Sequence, residues 1–73
     1  MSITIKMGEE KIVFPCENIL SISLKGKIVS FIFKQWDARQ ESFAQYQAEC
    51  ATEAIAREMF KISQRELDNY YKK

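Results

Sequence analysis

The chain has 73 residues, of which 47% are hydrophobic and 29% charged, and its formal net charge is +1. This length suits one small domain, near the lower limit for a chain that folds around a single core. The balanced charge excludes a basic or acidic tail, and no run approaches the roughly 18 apolar residues of a membrane span.

The first fourteen residues predict a β-hairpin with Gly8 at the start of a two-residue loop. Such a loop pairs Ile5 with Ile12 and Ile3 with Phe14, so these four apolar side chains share one face. Glycine at the first loop position suits a type II′ turn, because it adopts the positive φ that this turn needs.

Residues 18–34 predict a second hairpin with its tip at Lys25-Gly26. With a two-residue loop at that tip, alternating apolar side chains from both strands fall on one face of the sheet. The residues expected on that face are Leu20, Ile22, Val29 and Phe31.

Residues 34–41 have the polar composition of a loop but contain the only tryptophan, Trp36. The next segment, Ser42–Glu49, fits either a fifth strand or an extension of the helix that follows. As a strand it turns Ala44, Tyr46 and Ala48 toward the core. As a helix it would merge with the following segment into about 34 residues, roughly 50 Å long, which is too long for so small a domain. We therefore predict a strand.

Residues 52–71 predict one amphipathic helix with Thr52 as its N-cap. Its apolar side chains span an arc of about 180°, whereas a helix lying on one sheet needs a stripe of only about 100°. The surplus apolar surface, mainly Phe60, Leu67 and Tyr71, is expected to need a further partner.

These elements predict an α+β fold. It consists of an antiparallel β-meander of four to five strands, beginning with two hairpins, and one long C-terminal amphipathic helix packed on one sheet face. We expect the sheet over residues 2–49 and the helix over residues 52–71, within a single domain that spans residues 1–73.

The chain contains no histidine, only two glycines and only two cysteines. These counts exclude histidine-based nucleophilic catalysis, glycine-rich phosphate loops and four-cysteine metal sites within one chain. We therefore predict no enzymatic activity, no cofactor and no metal site.

Cys16 and Cys50 lie far apart in the sequence and form no CxxC motif. We expect two reduced thiols, at least one of them buried, in a cytoplasmic protein. A disulfide between them is the alternative if the protein is exported. The N-terminal stretch alternates and carries charges, so we expect no signal peptide.

The wide apolar face of the helix predicts a protein that self-associates, first as a homodimer, and that acts by binding another macromolecule, in the first place a protein. For Glu66, which falls within the apolar arc, we expect solvent beyond the sheet or a cationic group on the partner. Trp36 is expected to be at least partly exposed and to contact a second molecule; the alternative is a loop aromatic packed on its own core. The expected interface residues are Trp36, Phe60, Glu66, Leu67, Tyr70 and Tyr71.

Binding of single-stranded nucleic acid is the alternative function. Exposed aromatic rings can stack on bases while basic side chains contact phosphates. The candidate residues are Lys25, Lys27, Lys34, Trp36 and Arg39. The balanced net charge favours a protein partner, because nucleic-acid binding depends strongly on the neutralisation of phosphates.

Overall fold

The computed structural model describes residues 1–72. The strands form two antiparallel sheets, a β1–β2 hairpin and a three-stranded sheet in the order β3-β4-β5. One C-terminal helix packs on the three-stranded sheet, which confirms the predicted α+β fold with two N-terminal hairpins. The elements are β1 (Ser2–Met7), β2 (Glu10–Pro15), a 3₁₀ turn (Cys16–Asn18), β3 (Ile19–Lys25), β4 (Ile28–Asp37), β5 (Ser42–Glu49) and α1 (Glu53–Tyr71).

The β1–β2 hairpin has the predicted register, with Ile5 opposite Ile12 and Ile3 opposite Phe14. Gly8 has a φ of 65°, as expected for the first position of a type II′ loop. The apolar face of the hairpin packs against the three-stranded sheet, where the ring centroids of Phe14 and Phe31 lie 5.0 Å apart.

The β3–β4 hairpin has a different tip from the predicted one. Gly26, with a φ of 59°, is the first loop residue instead of the second. Leu24 therefore lies opposite Val29, and Ile22 lies opposite Phe31. The reason is that the positive φ of glycine suits the first position of a type II′ loop, as at the other hairpin. The pairing shifts by two residues, so most side chains keep their predicted face.

Leu20 is the exception, since it is 47% exposed and does not lie in the core as predicted. A β-bulge between Ile19 and Ser21 interrupts the alternation of β3 at this residue. Ile19, which is fully buried, takes the core position instead.

The segment Ser42–Glu49 is a strand, as predicted, with Ala48 buried and Ala44 and Tyr46 half-buried. The expected loop at residues 34–41 is shorter than predicted, because β4 continues to Asp37. Three β4 residues lie opposite one residue of β5 within the irregular pairing that precedes Trp36. The polar residues of β4 lie in this bulge, and β4 pairs with β5 on both sides of it.

The helix begins as predicted, with the Thr52 hydroxyl accepting a hydrogen bond of 3.2 Å from the main-chain N–H of Ile55. The helix and the β1–β2 hairpin both cover the same side of the three-stranded sheet, which we call the inner face. The core lies between them. Its buried members include Ile3, Ile5, Ile19, Ile22, Val29, Phe31, Ala48, Ala56 and Leu67.

The surplus apolar surface of the helix lies on a different edge from the predicted one. Leu67, expected on the surface, is only 3% exposed and belongs to the core. Ile55 and Ile62 are about half exposed instead. The Tyr71 side of the apolar arc faces β3, where the Tyr71 hydroxyl donates a hydrogen bond to the main chain. The opposite side of the arc, which contains Ile55 and Ile62, therefore faces solvent.

Candidate functional site

The side of the three-stranded sheet that faces away from the helix is covered by no other element of residues 1–72, and we call it the outer face. Its members follow from the cross-strand register, because directly opposed residues share a face. They are Ser21, Ser23 and Lys25 on β3, Ile28, Ser30, Ile32 and Trp36 on β4, and Phe43, Gln45, Gln47 and Glu49 on β5.

The outer face has a charged end and an aromatic end, with an uncharged centre between them. At the charged end, Lys25 and Glu49 flank Ile28. The two central rows contain serine, glutamine and isoleucine only, for example Ile32 between Ser21 and Gln45. Such a surface offers neutral hydrogen-bonding groups and apolar area but no cluster of cations.

Trp36 and Phe43 form the aromatic end of the outer face. They lie directly opposite each other on β4 and β5, and their rings meet edge to face, with centroids 5.4 Å apart and an interplanar angle of 90°. Trp36 is 58% exposed and Phe43 is 42% exposed. An exposed pair of large aromatic side chains is typical of an interaction surface, since these residues contribute much of the energy at protein interfaces.

The turn that follows Trp36 is held by a local hydrogen bond. The Asp37 carboxylate accepts the main-chain N–H of Arg39 at 3.0 Å, and Glu41 closes the turn with a φ of 52°. A groove of about 440 Å³ runs along this end of β4 and is lined by Gln35, Trp36, Asp37, Ala38, Arg39 and Ala44. The aromatic pair therefore lies beside a recess with an ordered rim.

The structure does not bring the six predicted interface residues onto one surface. Trp36 lies on the outer face and is exposed, as predicted, whereas the other five lie on the helix, which packs on the inner face. Leu67 is buried, and Phe60 and Tyr70 are half-buried against the core. The predicted interface therefore divides into an exposed tryptophan and a group of helix residues that mainly serve the fold.

Tyr71 fastens the end of the helix to β3 and is only half exposed. Its hydroxyl donates a hydrogen bond of 2.7 Å to the main-chain carbonyl of Ile19, and its ring meets that of Tyr70 edge to face. The Lys34 ammonium lies 5.0 Å from the centroid of the Tyr71 ring. Hydrogen bonding to Tyr71 raises the pKa of Lys34 above its ordinary value.

Glu66 is half-buried near the 3₁₀ turn rather than wholly in solvent. Burial raises the pKa of the Cys16 thiol; the N-terminal ammonium opposes this shift, and the Glu66 carboxylate adds to it. Cys16 and Cys50 are both free and buried, so the alternative of a disulfide between them does not hold in this structure.

The residues proposed for nucleic-acid binding are divided between the two ends of β4. Lys25 and Lys27 lie at the β3–β4 hairpin tip, whereas Trp36 and Arg39 lie at the far end, about 20 Å or more away along the strand. Lys34 is engaged with Tyr71. These basic side chains therefore form no continuous cationic track beside the tryptophan.

Several exposed apolar residues were not among the predicted site residues. Phe43 had a usable signal, because the strand pattern of Ser42–Glu49 already turned it away from the core. The sequence signal for the exposure of Ile55 and Ile62 was weaker: both lie at the margin of the apolar arc of the helix. Leu20 had none, since the bulge that exposes it depends on how β3 is positioned by the whole fold.

Within residues 1–72, no group of three or more cysteine and carboxylate side chains is placed to hold a metal ion. No helix in that range combines the length and the apolar character that crossing a membrane requires. Comparison of the chain with protein-family models, with curated proteins and with solved structures finds no match.

Proposed function

We propose that this chain is a small non-enzymatic interaction protein that self-associates and binds another protein through the outer face of its three-stranded sheet. The observation that carries the proposal is the exposed edge-to-face pair of Trp36 and Phe43 on a sheet face that no other element of residues 1–72 covers. Aromatic anchors beside uncharged polar groups are typical of the centre of a protein interface.

A protein partner fits the outer face better than a nucleic acid. The centre of the face is uncharged, and the charged end carries one cation and one anion, Lys25 and Glu49. Phosphate contacts supply most of the affinity for nucleic acids and require clustered lysines or arginines. The outer face instead offers apolar area and neutral donors and acceptors, which suit another protein surface.

We further propose that the protein acts in the cytoplasm. The support is that Cys16 and Cys50 are both free thiols within the core, which agrees with a reducing compartment.

The binding surface can be tested with two matched variants. Trp36→Ser with Phe43→Ser removes the aromatic pair, and Ile55→Ser with Ile62→Ser removes the same number of exposed apolar side chains from the helix. Each tagged variant is used to capture proteins from a lysate of the source organism. We expect a protein that the wild type and the helix variant retain and that the aromatic variant loses. Equal capture by all three proteins would overturn the proposed surface.

A second measurement separates the two macromolecular classes. Emission from the only tryptophan is followed while a single-stranded oligonucleotide is added at low salt. We expect no change in the signal. Quenching that weakens steeply as salt rises would identify the protein as a nucleic-acid binder instead.

A further inference from the structure

Strand β5 lies at one edge of the three-stranded sheet. One side of its main chain pairs with β4, and the other side has no neighbouring strand within residues 1–72. An unpaired edge presents a row of N–H and C=O groups that can pair with another strand. Proteins block such edges with bulges, prolines, charged side chains or a covering segment.

The two edges of this sheet differ in protection. β3 has a bulge at Leu20, and the carbonyl of Ile19 on the same strand already accepts a hydrogen bond from the Tyr71 hydroxyl. β5 has none of these features. Its residues from Ser42 to Ala48 include no charge and no proline, and the bulge in its pairing with β4 adds residues to β4, not to β5. The open edge is therefore uncharged and regular over seven residues.

We propose that β5 pairs antiparallel with β5 of a second copy of this chain, about a two-fold axis at Gln45. The inference rests on the proposed self-association and assigns it to a defined surface. Gln45 is the middle residue of the uncharged segment from Ser42 to Ala48, so an axis there pairs the whole segment with itself. An axis one residue further along, at Tyr46, would place the charged Glu49 opposite Phe43 of the other copy.

This register joins complementary side chains on both faces of the combined sheet. On the inner face, Ala44 lies opposite Tyr46 of the second copy, a small residue beside a large one. On the outer face, Phe43 lies opposite Gln47 of the second copy. The two Gln45 side chains meet at the axis, where each amide has both a donor and an acceptor for the other.

Just beyond each end of the uncharged segment, Glu41 falls opposite Glu49 of the second copy, and this repulsion weakens the pairing without changing its register. The product is a six-stranded antiparallel sheet in the order β3-β4-β5-β5-β4-β3, which is within the usual size of open sheets. Its two outermost strands are both β3, whose edge is protected. The pairing therefore ends at a dimer, and the outer faces of the two copies become one continuous surface with an aromatic pair from each.

Disulfide trapping tests the register. The Cα atoms of opposed residues in an antiparallel pair lie about 4.5 to 5.5 Å apart, within the range that a disulfide spans. Gln45→Cys should therefore form a covalent dimer under mild oxidation. Gln47→Cys is the matched control, because the two copies of residue 47 would be offset by four residues, about 13 Å. The wild type reports any contribution from the two native thiols.

A charge exchange at the axis tests the same contact without a covalent bond. Gln45→Lys places two ammonium groups opposite each other, and Gln45→Glu places two carboxylates there. Each variant alone should dimerise at least about fivefold more weakly than the wild type in sedimentation equilibrium. A mixture of the two should restore the dimer, which a folding defect in either variant would not allow.

The outcomes separate this proposal from the proposed function. A wild-type dimer that neither cross-links at residue 45 nor responds to the charge exchange would overturn the β5 pairing and leave the self-association intact. Equal cross-linking of Gln45→Cys and Gln47→Cys would also overturn it, because random collision would explain both. A wild type that remains at 8.6 kDa at micromolar concentration would overturn both the pairing and the self-association.

Discussion

The Tyr71 hydroxyl donates a hydrogen bond of 2.7 Å to the carbonyl of Ile19, a residue 52 positions earlier in the chain. This bond closes the fold, since it joins the last turn of the helix to the bulged end of β3. Tyr71→Phe removes only the donor and should lower the free energy of unfolding by about 1 kcal/mol, the usual net value of such a bond. Urea denaturation measures this loss. Tyr70→Phe, the same change one residue earlier, is the control and should have the smaller effect.

The contact between Lys34 and Tyr71 predicts a stability difference that depends on pH. The pKa of Lys34 is raised by hydrogen bonding to Tyr71, so the folded protein holds this proton more tightly than the unfolded chain does. The contribution is complete below the ordinary pKa of 10.5 and is lost as pH rises through the higher folded value. The wild type should therefore exceed Lys34→Gln in stability by a constant margin from pH 7 to about 10, and by a smaller margin above it. A margin that does not change up to pH 12 would contradict this linkage.

Leu67 lies on the buried side of the helix, and Ile62 lies on its exposed side. Leu67 is 3% exposed and Ile62 is 55% exposed. Leu67→Ala should cost about 2 to 5 kcal/mol because it leaves a cavity in the core. Ile62→Ala should change stability by no more than about 0.5 kcal/mol, as expected for an exposed site. Chemical denaturation of both variants checks the difference; similar losses would mean that the helix is rolled differently on the sheet.

The two cysteines predict a protein whose thiols react only when it opens. Cys16 is fully buried and Cys50 nearly so. Burial also raises the pKa of Cys16 and so disfavours the reactive thiolate. A disulfide reagent at pH 8 should modify both thiols at once in urea and only slowly in the folded protein. Rapid modification of one thiol in the folded state would show that its side of the core is open to solvent.

Much of the fold could be predicted because the hydrophobic pattern has a definite period. The pairing of Ile5 with Ile12 and the strand containing Tyr46 both follow from simple alternation. The tip of the second hairpin could not be fixed in the same way, since a shift of two residues leaves the alternation of Ile22 and Phe31 unchanged. Local turn chemistry at Gly26 decides it.

Only part of the candidate site could be predicted from the sequence. The exposure of Trp36 could be predicted, because a small sheet has little area left to cover it. Its pairing with Phe43 could not, since that contact depends on the bulge that extends β4 past Lys34. Leu67 was assigned to the surface because the helical pattern gives the width of the apolar arc but not the edge that faces the sheet.

Trp36 is the only tryptophan, so its emission reports directly on the outer face. At 58% exposure the indole is largely in water, and we expect red-shifted emission that iodide quenches readily in dilute protein. The Phe43 ring packs against the indole ring, so Phe43→Ala should increase quenching further. Ile55→Ala removes a similar exposed apolar group from the helix and should leave the emission unchanged. Blue emission that iodide does not reach would mean that Trp36 is packed within the protein, and the aromatic end of the outer face would then be closed to a partner.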